Sequence, residues 1–160
     1  MTDIPIRPAT PDDVATILRF VRDLAAFERE PDAVEATEAM LSEALFGPQP
    51  AVEAVIAEEA GVAVGFALFF HNFSTWKGRR GLYLEDLYVT PAARGKGVGG
   101  ALLRHLAGIA VERNCARFEW AVLDWNVDAI AVYRRMGAVG LEDWTVQRVE
   151  GEALRRMAGA

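Results

Sequence analysis

Apolar residues return at helical spacing in some stretches of the chain and cluster in β-rich runs in others, and that division lays out the elements. Val14, Ile17, Leu18, Val21, Leu24 and Ala25 form one apolar stripe. Ahead of it Thr10, Pro11, Asp12 and Asp13 supply a cap, a proline and first-turn acids, so a helix is predicted from there to about Phe27 and Glu28. A short strand at residues 4–8 precedes it. A second helix is predicted at residues 37–46, stopped by Gly47, Pro48 and Pro50. Residues 51–59 and 62–70, parted by Ala60 and Gly61, read as an antiparallel hairpin. Residues 71–80 are polar, carry Trp76 and Lys77, and are expected to form a loop.

The run from Leu82 to Val89 alternates as a buried strand, and residues 90–94 connect it to a glycine loop. Beyond the loop Val98, Ala101, Leu102, Leu106, Ile109 and Ala110 predict a helix reaching Glu112. A strand is expected at residues 117–123. Asn126 is expected to cap a helix running to Met136 and closed by Gly137, and late strands are expected at 139–141 and 144–149. The resulting order, β, α, α, β, β, β, α, β, α, β, β, belongs to the α/β class. No internal repeat, low-complexity tract or linker interrupts it, so residues 1–160 read as a single domain.

Composition narrows the partners. With 52% hydrophobic residues the chain can bury one sizeable core. A formal net charge of −6 argues against a nucleic-acid-binding surface and suits a cationic substrate. No apolar run reaches membrane-spanning length, and the N-terminus does not resemble a signal peptide. The one cysteine, Cys115, cannot form an internal disulfide, which suits a reducing cytoplasm. Cys115 has no histidine beside it in the sequence and reads as a packing residue. His71 has no second histidine or cysteine at ligand spacing, so no metal is expected.

Four glycines, Gly95, Gly97, Gly99 and Gly100, crowd the start of the helix that follows the central strand. Without Cβ atoms there, an anion can approach backbone N–H groups that lack intrahelical partners and lie at the positive end of the helix dipole. A phosphate-bearing ligand is expected. A P-loop is excluded, because Gly100 is followed by Ala101 and Leu102 where Lys and Ser or Thr are required. Gly95, Gly97 and Gly100 fit the dinucleotide fingerprint, but five residues separate them from the strand that normally runs directly into it. Taken with Arg94, the loop reads Arg-Gly-Lys-Gly-Val-Gly, which resembles the coenzyme A pyrophosphate loop of the GNAT superfamily of N-acetyltransferases.

The likeness extends to IRPAT at residues 6–10, DLAAFE at 23–28, LYLEDLYV at 82–89, and DWN with AVYRRMGA at 124–138. Together these resemble the diamine (spermidine/spermine) and thialysine acetyltransferase branch. The resemblance implies the GNAT (acyl-CoA N-acyltransferase) fold, a mixed, mostly antiparallel sheet with splayed central strands flanked by about four helices. It also implies acetyl transfer from acetyl-CoA to a primary amine of a diamine, polyamine or thialysine-like amino acid, carried out by a homodimer. In that resemblance the backbone of Leu87, Tyr88 and Val89 pairs with the pantetheine arm. Backbone N–H groups from Gly95 through Val98, Gly99 and Gly100 take the pyrophosphate, with charge added by Arg94 and Lys96. Asn126 and Ala129 contact the cofactor, although Asn126 reads equally well as a helix cap.

An alkylamine has a pKa of roughly 10.4, so it cannot attack a thioester until a base removes a proton. Glu85 matches the family's substrate-side glutamate; read alone, it is also a carboxylate that could pair with Arg79 or Arg80. Tyr133 matches the family's general-acid tyrosine and lies two helical turns after Asn126, whereas without the family a tyrosine beside Ile130 and Met136 reads as core. Phe27 and Glu28 match the amine-binding pair, and Glu119, Glu142 and Asp143 are acidic candidates near the pocket mouth. Two departures from the animal diamine enzymes stand out. The stretch between Ala138 and Trp144 is shorter, and the hairpin at Ala60 and Gly61 is tight where they carry an insertion. The competing readings are an acyl-CoA-binding module without turnover and an enzyme that acetylates a protein or peptide amine.

Overall fold

In chain order the strands are β1 (Ile6–Pro8), β2 (Glu53–Glu59), β3 (Val62–Phe70), β4 (Phe73–Ser74), β5 (Arg79–Arg80), β6 (Leu82–Val89) and β7 (Phe118–Glu119). The helices are α1 (Val14–Phe27), α2 (Glu38–Phe46), α3 (Val98–Glu112), α4 (Val127–Arg135) and α5 (Gly151–Met157). This computed structural model describes residues 3–160. The chain divides into two compact units, Met1–Ala121 and Val122–Ala160.

In the first unit one mixed sheet runs in the order β1-β2-β3-β6-β7. Every pairing is antiparallel except β6 with β7. The β2–β3 hairpin turns on Ala60 and Gly61, both with positive φ (49° and 77°), the geometry that matches the right-handed twist of the flanking strands. One face is covered by α1 and α2, whose Ile17, Phe20 and Leu45 are buried with Ala54, Ile56, Phe66, Leu68 and Tyr88. The opposite face carries α3. Gly65 admits it closely, since a Cβ there would lie 3.3 Å from Val98 Cγ1 and 3.4 Å from Leu102 Cδ1. Arg7 ties the sheet to α1, reaching Asp13 at 2.7 Å and also pairing with Glu58. That guanidinium holds the Asp13 carboxyl below the usual range.

Residues 71–80, expected to be a loop, contain the two-residue strands β4 and β5, which among the described residues pair only with each other. The strand expected at 117–123 is shorter than its pattern. It pairs as Leu82↔Phe118 and Tyr83↔Glu119 and stops there, because β6 carries an extra residue immediately beyond. Phe69 pairs with Leu84 and Leu68 with Asp86, so Glu85 bulges out of register.

In the second unit the Asn126 side chain accepts a hydrogen bond from the Ala129 N–H at 3.4 Å and caps α4. Gly137, with φ 94°, closes that helix. The strands expected at 139–141 and 144–149 are not strands. Neither run has a ladder partner among the described residues, and Val139, Trp144 and Val146 are each more than 70% exposed. β-Propensity is realised only where a neighbouring strand and a buried face exist to reward it. The unexpected element is α5, which brings the α-helices among the described residues to five where about four were expected.

Candidate active site

The C-terminal half of β6 sits at an opening in the sheet. On one side it pairs with β3 through Val89. On the other its ladder ends at Tyr83, so the main chain from the Glu85 bulge to Val89 has no strand partner on that edge among the described residues. This is the splay expected between the central strands, and it offers backbone N–H and C=O groups to an extended ligand. Leu87, Tyr88 and Val89 lie along it. The side chains of Leu87 and Val89 point toward Gly99, whose Cβ position lies 3.9 and 3.8 Å from them.

The glycine loop continues from this edge. Gly95 and Gly97 have φ of 78° and 86°, conformations that an L side chain rarely adopts. Gly97 is the N-cap of α3, and it provides no side chain to the first turn. The N–H groups of Val98, Gly99 and Gly100 therefore lie ahead of the first intrahelical bond, which Ala101 donates to Gly97 at 2.9 Å. An anion fits such a terminus.

The two cations expected to add charge to the loop are both engaged by protein groups. Arg94 donates Nε to the Val89 carbonyl at 2.9 Å, and its guanidinium lies 5.3 Å from the Phe27 ring centroid and 5.5 Å from that of Tyr88. Lys96 Nζ lies 3.6 Å from Glu59 Oε2. Arg94 thus joins the end of α1, the end of β6 and the start of the loop into one wall.

Acids gather beside that wall. Glu28 follows α1 directly, and burial pushes its carboxyl up. Asp86, half-buried, is pushed up to about 6, first by burial and then by the negative charges of Glu85 and Glu28. Glu85 itself is exposed at the bulge. Tyr83 is raised by burial and by the charges of Glu85 and Glu119. The structure therefore brings Glu28, Glu85 and Asp86 into one electrostatic group, and Asp86 is the member that sequence reasoning passed over. Its signal was present: a second carboxylate next to Glu85 inside an otherwise apolar strand. Glu119 is committed elsewhere, since its Oε1 forms an ion pair with Arg117 Nε at 2.5 Å and accepts a hydrogen bond from Asn72 Nδ2 at 3.3 Å.

In the second unit Asn126 is a helix cap, with Ala129 its donor, and Tyr133 stands two turns further along α4, half-buried. Asp143 and Glu142 are exposed in the segment between α4 and α5.

Cys115, without a histidine near it in sequence, has His71 Nδ1 at 3.8 Å. That histidine cannot act as its base. Gly81 O, 2.9 Å from Nδ1, can only accept, and Arg113 Nη1, 2.9 Å from Nε2, can only donate, so Nδ1 carries the proton and Nε2 is occupied. The packing role of Cys115 stands on this geometry. No group of three or more His, Cys, Asp or Glu among the described residues could hold a metal ion.

An open strand edge thus leads into a helix N-terminus, with carboxylates alongside. The model of the acetyltransferase (GNAT) family matches residues 18–138. The chain belongs to that family. It is 38% identical over 170 residues to a thialysine N-epsilon-acetyltransferase of Sus scrofa, covering 99% of both chains. It is 37% identical to the human spermidine/spermine N(1)-acetyltransferase-like protein 1, over 96% of this chain and 23% of that protein. Among solved structures, an integron cassette protein from V. cholerae superposes with a TM-score of 0.81 at 28% identity, covering all of both chains. The fold is the GNAT fold, and the chain is an acetyltransferase with the sequence features of the amine-acetylating branch.

Proposed function

We propose that this acetyltransferase moves the acetyl group of acetyl-CoA to a primary amine of a small cationic substrate, a diamine, polyamine or thialysine-like amino acid. The observation that carries the reading is the acidic group Glu28, Glu85 and Asp86 beside the open edge of β6. The pantetheine arm lies along Leu87 to Val89, and the pyrophosphate meets the N–H groups from Gly95 to Gly100. The thioester then stands near the bulge.

An ammonium group is drawn to the carboxylates by charge-assisted contacts. Glu85, exposed at the bulge, takes a proton from it directly or through water, and the freed nitrogen attacks the thioester carbonyl carbon. As the carbon–sulfur bond breaks, Tyr133 gives its hydroxyl proton to the departing thiolate, the nitrogen's second proton restores the phenol, and the proton held by Glu85 passes to solvent. Asp86 holds the second ammonium of a diamine, or the α-amino group of an amino acid. Phe27, whose ring Arg94 covers, and Glu28 border the amine, Asn126 and Ala129 the cofactor, and Asp143 the pocket mouth.

The family match spans both units, which supports one acetyltransferase domain over residues 1–160. The family resemblance implies a homodimer, and the lone cysteine suits a reducing cytoplasm. Release of free thiol from acetyl-CoA, assayed across diamines, polyamines, thialysine, lysine and a peptide N-terminus, tests the reading. Turnover on a small diamine or amino acid is expected. Tight acetyl-CoA binding with no turnover on any amine would establish a binding module instead, and turnover confined to peptides would move the substrate class.

A further inference from the structure

Residues 90–112, which form the loop and α3, carry three cations: Arg94, Lys96 and Arg104. Two have protein partners. Arg94 is bound to Val89 O and covers two rings, and Lys96 faces Glu59. Arg104, exposed on the second turn of α3, has no hydrogen bond or ion pair among the described residues. In a chain of net charge −6, a cation left unpaired at a helix beginning needs a reason.

Its position supplies one. The side chain leans toward the helix N-terminus, as helical side chains do, and lies over Gly100. A Cβ built on Gly100 would sit 3.3 Å from Arg104 Nη1 and 3.8 Å from Nη2. A guanidinium so placed adds positive charge to the end of α3 that the helix dipole already makes positive, which is unfavourable until an anion arrives. The free first-turn N–H groups and the unpaired guanidinium then converge on one ligand. A planar fork of N–H donors matches phosphate oxygens in geometry as well as charge.

We propose that Arg104, and neither Arg94 nor Lys96, is the side chain that binds a phosphate of acetyl-CoA. Gly100 lacks a side chain because one there would push the guanidinium off the mouth of the helix. Lys96 is held against the β2–β3 hairpin by Glu59 and keeps the loop in shape; Arg94 builds the wall behind the pantetheine arm. This inference rests on the acetyl-CoA reading above. A phosphate could come from the pyrophosphate or from the ribose 3′-phosphate, and the test separates them.

CoA, 3′-dephospho-CoA and pantetheine are titrated by calorimetry into the parent and into Arg104→Ala, Arg104→Gln, Arg104→Lys and Lys96→Ala. The two neutral Arg104 variants should bind CoA about 10- to 100-fold more weakly, the size of a lost charge-assisted hydrogen bond. Arg104→Lys should recover part of the loss, and Lys96→Ala should stay within about threefold of the parent, its ammonium being already committed to Glu59. If the loss persists with 3′-dephospho-CoA, the contact is to the pyrophosphate; if it vanishes, the contact is to the 3′-phosphate. Either supports the proposal. Equal CoA affinity in the parent and both neutral variants overturns it, as does the same proportional loss for pantetheine, which has no phosphate. A parent that binds no CoA overturns the cofactor reading and this inference together, whereas a parent that binds with an indifferent Arg104 overturns the inference alone.

Discussion

Glu85 raises the proton affinity of the adjacent Asp86. Two neighbours on a regular strand point to opposite faces, but the bulge at Glu85 breaks the alternation and lets two carboxylates act on one site. Burial of Asp86 is the largest cause, the charges of Glu85 and Glu28 add to it, and its pKa rises from 3.8 to about 6.

That shift has a direction in stability. The unfolded chain releases the Asp86 proton near its ordinary value, while the folded protein keeps it to about 6, so this residue opposes folding increasingly as pH rises between those values and at a constant level above. The penalty is on the order of 3 kcal/mol at most, at 1.36 kcal/mol per unit. Asp86→Asn should therefore raise the melting temperature at pH 8 and leave it nearly unchanged at pH 4, while weakening amine binding at pH 8. Melting curves across that range check it, and a variant less stable than the parent at pH 8 would refute the assignment.

Gly97→Val is expected to raise the acetyl-CoA KM by at least tenfold. A valine at φ 86° is strained, and its branches stand where the pyrophosphate approaches the first turn. Steady-state kinetics with acetyl-CoA varied would show it; an unchanged KM would put the phosphates elsewhere.

Glu28→Gln should weaken amine binding about tenfold and leave the acetyl-CoA KM nearly alone. It removes a half-buried carboxylate from the acidic group without touching the glycine loop. A proportional loss for both substrates would point to a folding defect, which a melting curve on the same sample reveals.

Tyr133→Phe keeps the ring and removes only the hydroxyl. If that hydroxyl protonates the leaving thiolate, kcat falls by roughly 10² to 10⁴ with little change in acetyl-CoA affinity. A phenylalanine variant as fast as the parent on its best amine would assign the proton to water or another group.

Much of the first unit was legible from local pattern. The stripe Val14 to Ala25, the capping residues Thr10 and Asp13, and the Ala60–Gly61 turn each specify their element through short-range physics. The Glu85 bulge was not legible, since it depends on how β3 and β6 register against each other. The final pattern differs for the same reason: Trp144 and Val146 alternate like a strand, but no ladder among the described residues receives them. The helix α5 could have been found. Glu152 in its first turn and Arg155 and Arg156 in its last complement the dipole, and Leu154 and Met157 are spaced at i and i+3. At the site, the glycine loop announced an anion, but its cations could not be sorted by sequence. Only the partners Val89, Glu59 and Gly100 distinguish what Arg94, Lys96 and Arg104 do.

The locked imidazole of His71 has a practical bearing on how such an enzyme is followed. Thiol-reactive dyes are the simplest way to count released coenzyme A, and a protein with an activated cysteine would contaminate the signal. Here the single thiol, Cys115, faces a ring nitrogen that already carries its proton and donates it to Gly81, so His71 does not serve as its base. The colour that develops should belong to the reaction. A cysteine engineered onto an exposed position would then react ahead of Cys115, giving a near-unique handle for a fluorophore or spin label.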